Sequence, residues 1–213
     1  MAFMKLLPVT NGENLMTLHE SLNALQKGLV IAHPTETCYG LACDLTNKKA
    51  VERLFAIKQR PVMQPLSALF ASVWHAQQYV EWNDMAEKIA QKHLPGPLTL
   101  ILPLRGSAPY PIFVTPDGGR TIGVRISSHP FTSELAAGFH HPLSTTSANL
   151  HGFPEPYCDE DVMSQYADQP LQPDVLLQAG SLSVQPPSTI LDLTGKEIRV
   201  VRQGSISIDV HQL

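Results

Sequence analysis

Two distant phrases of the chain carry side chains that could hold a polyanion beside a small polar molecule. Ile57-Lys58-Gln59-Arg60-Pro61 sets two cations just before a proline, and Ser144-Thr145-Thr146-Ser147-Ala148-Asn149 is a run of hydroxyls ending in an amide. Neither phrase is needed to build an apolar core. Lys58 and Arg60 stand at i and i+2, positions that diverge on a helix but share a face on extended chain. Pro61 disfavours helical geometry at Arg60, so a helix is expected to end near Lys58 and both cations to reach one groove. Arginine suits bidentate phosphate contact, and lysine adds a point charge to the same group. The competing reading is a solvated helix end whose cations complement the dipole. Ser147 and Asn149 repeat the i, i+2 spacing, although Asn149 with Gly152 is equally the material of a turn.

Other candidates are scattered. Thr35 and Thr37 alternate beside Pro34, and local hydrogen bonding explains them as well as a binding role does. Thr121 and Arg125 fall on one face of a strand. Arg125 lies between Val124 and Ile126 and needs an acceptor, either a buried carboxylate or a bound anion. Ser188-Thr189 and Arg202 add a hydroxyl pair and a further cation. His140, His141 and His151 read as loop residues rather than metal ligands, and no metal site is expected. The chain has no glycine-rich phosphate loop of the usual kind and no hydrolase nucleophile motif, so any nucleotide must be held by strand ends.

The bulk of the chain suits an enzyme-sized globule. It has 213 residues, 43% hydrophobic and 16% charged, which is room for one sizeable core. A formal net charge of −4 argues against a general coating of nucleic-acid phosphate. No apolar run reaches the length of a membrane span, and the N-terminal stretch is too short for a secretory signal. Cys38, Cys43 and Cys158 are an odd count without close pairing, as in a reduced, cytoplasmic protein.

The elements that must position these residues can be sketched. Leu15, Leu18, Leu22 and Leu25 predict a helix stopped by Gly28, followed by a strand over 29–32. Asn47 predicts the cap of a second helix burying Val51, Leu54 and Phe55. An apolar run follows over 66–70, with helices over 73–80 and 85–93. Strands are expected over 98–102 and 121–126, with a Pro/Gly-rich loop over 106–119 between them. A short helix over 131–137 should close at Gly138. Then come a strand over 142–146, a helix over 159–167, a strand over 175–178, and a hairpin about Thr194-Gly195-Lys196. Interleaved strands and helices without a strict repeat predict a single α/β domain, a twisted mixed sheet flanked by helices.

Seven phrases in order resemble the YrdC-like family, the threonylcarbamoyl-AMP synthases. They are Pro34-Thr35-Glu36-Thr37-Cys38-Tyr39-Gly40-Leu41, Ile57-Lys58-Gln59-Arg60-Pro61, Pro95-Gly96-Pro97-Leu98-Thr99 and Thr121-Ile122-Gly123-Val124-Arg125, then Ser147-Ala148-Asn149, Ser188-Thr189-Ile190-Leu191-Asp192 and Val201-Arg202-Gln203-Gly204. Together they cover residues 22–206. The resemblance implies a concave basic cavity and an enzyme that joins L-threonine, bicarbonate and ATP, with Mg²⁺ accompanying the ATP. Its product would serve threonylcarbamoyl modification of adenosine 37 in tRNA. It implies Thr37, Arg125, Thr145 and Ser188 for threonine, and Lys58, Arg60, Gln64, Thr121, Ser147, Asn149 and Arg202 for ATP, with Lys58 and Arg60 as the catalytic cations. It also implies separate threonylcarbamoyl-transfer proteins as partners, weak tRNA contact at most, and, as the other class of reading, a YciO-like RNA- or nucleotide-binding protein. Three departures stand out. Leu69 replaces a histidine of longer members, Glu155 replaces a small hydroxyl, and Thr146 replaces a proline. The additional C-terminal domain of longer members is not expected.

Overall fold

A computed structural model describes residues 4–10, 14–61, 66–106 and 120–208. The chain runs through β1 (Lys5–Pro8), α1 (Leu15–Gln26), β2 (Ile31–His33), β3 (Gly40–Ala42), α2 (Lys48–Lys58) and β4 (Ser67–Leu69). It continues through α3 (Val73–Gln77), α4 (Asp84–His93), β5 (Leu98–Pro103), β6 (Thr121–Arg125), α5 (Pro130–Phe139) and β7 (Leu143–Ser147). The last elements are α6 (Asp159–Tyr166), β8 (Val175–Gln178), β9 (Thr189–Asp192) and β10 (Arg199–Arg202). All ten strands join one sheet in the order β1-β8-β2-β3-β7-β4-β6-β5-β9-β10. β8 pairs in parallel with β1 and β2, and parallel pairs also join β4 to β6 and β5 to β9. The remaining pairs are antiparallel, so the sheet is mixed as expected.

Local chemistry sets the element that matters most. Asn47 caps α2 by accepting from the Lys49 and Ala50 amides at 3.1 and 3.3 Å, and Val51, Leu54 and Phe55 are buried. The helix stops at Lys58, where Gln59 turns left-handed at φ 51°. That break sends Arg60 away from the helix axis. Two expectations need correction. α5 does not close at Gly138 but runs through it to Phe139, because Gly138 is where α1 comes close: a Cβ there would lie 2.9 Å from Leu22 Cδ1. The strand expected over 29–32 begins later, at Ile31. β1 and β3 carry too few residues to show a period and were not foreseen. The loop expected over 106–119 lies outside the described residues beyond Gly106.

The two faces of the sheet have different cover. Ala68, Leu100, Val124 and Leu191 point into the main core with α2, α3, α4 and α6. On the opposite face, α1 and α5 cover β1, β8 and β2 and reach one end of β3, β7 and β4, where Ile31, Leu69, Leu143 and Val175 pack with Leu25 and Leu135. The rest of that face carries hydroxyls, glycines and arginines. It forms the wall of a cavity.

Candidate active site

Strand register builds this wall. Residues directly opposite one another in neighbouring strands share a face. Gly40 of β3 pairs with Ser147 of β7, Thr145 of β7 with Ser67 of β4, and Ser67 with Gly123 of β6. Arg125 of β6 pairs with Thr99 of β5, Thr99 with Ile190 of β9, and Ile190 with Arg202 of β10. Seven adjacent strands thus present one polar row. Gly123 lets the row close up: a Cβ there would lie 2.6 Å from Ser67 Oγ and 2.9 Å from Thr99 Cγ2. The row lines a cavity of about 260 Å³. Of the residues named from sequence, Thr37, Arg60, Arg125 and Thr145 line it, as do Ser147, Ser188 and Arg202.

The middle of the wall is organised by Arg125. Its Nη2 donates to Glu36 Oε1 at 2.8 Å and to Thr37 Oγ1 at 2.7 Å. Ser127 Oγ donates to the other Glu36 oxygen. Burial works to raise the Glu36 carboxyl, but Arg125 and Ser127 outweigh it and hold it below the usual carboxylate range. Arg125 Nε is buried without a hydrogen-bond partner among the described residues. Arg125 therefore has the buried carboxylate partner that one of its two sequence readings expected. Thr35 is tied up locally: its Oγ1 accepts from the Thr37 and Cys38 amides and donates to the Cys38 carbonyl. That turn fixes Thr37 beside Arg125. Cys38 borders the cavity, where burial pushes its thiol up to about 11, so it is protonated at neutral pH.

Arg60 reaches the cavity beside β7 and Arg202 from β10, with the Arg125 strand β6 between them. Arg60 Nη1 donates to Thr146 Oγ1 at 3.4 Å. Arg202 donates from Nε to the Ser188 carbonyl and from Nη2 to Ser188 Oγ, both at 3.0 Å, and Ser188 Oγ lies 3.1 Å from Thr99 Oγ1. Burial lowers both guanidinium pKa values, yet such groups remain charged.

Lys58 corrects the expectation of two cations in one groove. It is 3% exposed and does not line the cavity. Its ammonium donates to the Ser147 carbonyl, to the Asn149 carbonyl at 2.8 Å and to Asn149 Oδ1 at 3.1 Å. Burial, and then the Arg60 charge, pull its pKa down to about 7. The three acceptors match the three N–H bonds of an ammonium. Asn149 is likewise behind the wall, accepting from Ser147 Oγ at 2.6 Å and donating to the Phe153 carbonyl at 2.5 Å. Asn149 thus makes the local bonds that the turn reading describes, and with Lys58 it holds Ser147. Thr121 shares a face with Gly123 and Arg125 but is not among the lining residues. Gln64 lies outside the described residues.

The departures are placed as well. Leu69 is buried against Leu143, beyond the end of the cavity. Thr146 borders the cavity and leaves Thr145 in the wall. Glu155 faces inward and lines the same cavity as Arg60 and Arg202. Sequence reasoning missed Ser67, Thr99 and Glu36. Ser67 and Thr99 are single hydroxyls inside otherwise apolar strand runs, a signal the sequence did hold. Glu36 had none, because its partner is 89 residues away. Among the described residues, no group of three or more His, Cys, Asp or Glu side chains could hold a metal.

Residues 23–204 match the family described as "Telomere recombination", that of Sua5, YciO and YrdC. The threonylcarbamoyl-AMP synthase of Vibrio cholerae is 37% identical over 190 residues, 88% of this chain and 97% of that one. The structure of P. abyssi Sua5 complexed with L-threonine superposes with a TM-score of 0.83 at 28% identity, over 95% of this chain. This chain spans 57% of that protein. E. coli YciO superposes with a TM-score of 0.84 at 26% identity, over 99% of both chains. With 182 consecutive residues matched and a relative at this identity over nearly its whole length, the chain belongs to the Sua5/YciO/YrdC family.

Proposed function

We propose that this protein is an L-threonylcarbamoyladenylate synthase, making threonylcarbamoyl-AMP and pyrophosphate from L-threonine, bicarbonate and ATP. The observation that carries this reading is one cavity lined together by Thr37, Arg125, Arg60, Ser147 and Arg202, a set suited to a carboxylate beside a polyphosphate. Arg125 pairs with the threonine carboxylate, and Thr37, Thr145 and Ser188 orient the rest of the amino acid. The threonine amine displaces water from bicarbonate to give a carbamate, whose oxygen then attacks the α-phosphate and expels pyrophosphate. Attack of an anion on a polyanion requires charge screening, which Arg60 and Arg202 supply across the wall. Lys58 and Asn149 serve by fixing Ser147. Mg²⁺ accompanies the ATP and adds further screening. Thr121 and Gln64 are assigned to the nucleotide on the family resemblance alone.

The adenylate is an activated intermediate, so separate threonylcarbamoyl-transfer proteins would pass the group to tRNA position 37, with only weak tRNA contact by this chain. A cytoplasmic location fits that role, and no helix of the described residues is long and apolar enough to cross a membrane. The YciO superposition favours a second reading, a nucleotide- or RNA-binding protein without synthase turnover. The higher identity to the Vibrio synthase, 37% against 26%, weighs for the first. Pyrophosphate release with L-threonine, bicarbonate and Mg²⁺ omitted in turn tests it. Release that needs each of them supports the synthase. Absence of release by folded, ATP-bound protein leaves the second reading.

A further inference from the structure

Glu155 is a carboxylate where the proposed chemistry puts a polyphosphate. Its charge is felt at Arg202, Lys58 and Cys38, and it lines the cavity with Arg60 and Arg202. The backbone that carries it is held on both sides. Asn149 Nδ2 and Gln165 Nε2 donate to the Phe153 and Pro154 carbonyls, the Tyr39 amide donates to the Pro156 carbonyl at 2.9 Å, and the Tyr157 amide donates to Asp161. The ion pairs formed among the described residues do not include Glu155. Among these residues, Glu155 thus has no close ion pair like that of Glu36 with Arg125, although its charge favours the Arg202 cation and Tyr157 hydrogen-bonds to it.

A carboxylate lining the cavity that takes a polyphosphate repels it unless a cation lies between them. Mg²⁺ is the cation whose habits fit. It keeps several waters and binds nucleotide enzymes through one or two carboxylates plus the substrate phosphates, rather than in an all-protein cage. The described residues offer no such cage, but here they offer one carboxylate. Resting on the nucleotide reading given above, we infer that Glu155 is this protein's own contact to the divalent cation that arrives with ATP, directly or through a coordinated water. It makes the cavity select the metal-bound nucleotide over the free polyanion.

The experiment measures the affinity of wild type, Glu155→Gln and Glu155→Asp for α,β-methylene-ATP by calorimetry, with excess EDTA and with excess MgCl₂. Electron paramagnetic resonance of Mn²⁺ is recorded in the same complexes. For wild type, the metal tightens analogue binding about tenfold, the scale of one charge-assisted contact. Glu155→Gln binds the metal-free analogue more tightly than wild type, gains little from Mg²⁺ and immobilises Mn²⁺ less. Glu155→Asp keeps most of the metal effect. Equal metal enhancement in wild type and Glu155→Gln overturns the inference, as does weaker metal-free binding by Glu155→Gln. None of these readouts needs threonine or turnover. A protein that never releases pyrophosphate can therefore still pass this test, and failure here leaves the synthase reading standing.

Discussion

Lys58 and Arg60 stand two residues apart, yet their surroundings give them different work. Arg60 reaches the cavity, whereas Lys58 spends its donors on Ser147 and Asn149. Arg60→Ala should cost about a hundredfold or more in kcat/KM for ATP, the loss of a transition-state charge contact, with little change in melting temperature. Lys58→Met should instead destabilise the fold by about 2–4 kcal/mol, because three buried acceptors lose their donor. Urea unfolding beside steady-state kinetics separates the two, and an unchanged melting curve for Lys58→Met would refute the assignment. His33 offers a second test at this scale. It is fully buried, with Nδ1 near the Pro34 carbonyl and Thr132 Oγ1, and Nε2 has no partner among the described residues. Burial pushes its pKa down from 6.5 to about 4. The unfolded chain therefore binds the proton more readily, and the stability this group contributes is complete above about pH 6.5 and lost as pH falls toward 4. About 2 kcal/mol should go between about pH 6.5 and 5. His33→Gln should be less stable at neutral pH yet lose less over that interval, and equal losses in both proteins would remove His33 as the cause.

Elements position these residues through backbone approach as well as through side chains. Gly204 follows β10 and donates its amide to Thr189 Oγ1 at 3.0 Å. A Cβ there would lie 2.0 Å from the Pro187 carbonyl and 2.5 Å from Ser188 C, both backbone. Gly204→Ala must therefore move the segment that carries Ser188 and the strand that carries Arg202. We expect a loss of about 3 kcal/mol or more in urea unfolding, together with weaker nucleotide binding. Gly138→Ala is the contrasting case. The obstacle is the end of the Leu22 side chain, which can turn aside, and the helical gain of alanine over glycine is about 1 kcal/mol, so the net change should be near zero. The contrast also shows what was legible in sequence. A glycine in a helical pattern reads as a stop, and only the neighbouring helix reveals it as a contact. Long, strongly patterned segments such as α1, α2 and β5 were readable because their own periodicity, cap or apolar run specifies them. β1 and β3, at four and three residues, have no period to read. The seven phrases located the cavity, but not which of their residues face it, since Lys58 and Asn149 turn behind the wall through contacts about ninety residues apart.

At the scale of the whole molecule, the cavity is a face of the sheet left open where α1 and α5 end. Its lining is drawn from residues 35–202, so almost no part of the chain can unfold without dismantling it. A ligand that binds only the folded state stabilises it by RT ln(1 + [L]/Kd), about 2.7 kcal/mol at a hundredfold excess over Kd. In a chain of this size each kcal/mol is worth about 2–4 °C, so saturating ATP with Mg²⁺ should raise a single cooperative melting transition by roughly 5–10 °C. Saturating L-threonine alone should do the same at Arg125. Because the proposed threonine and nucleotide contacts have no residue in common, Arg60→Ala should abolish the nucleotide shift and leave the threonine shift in place. Differential scanning fluorimetry of both proteins with each ligand separately distinguishes this from its rivals. Loss of both shifts in Arg60→Ala would mean that the two sets of contacts are not independent. A threonine shift absent from wild type would mean that Arg125 and Thr37 do not hold an amino acid at all.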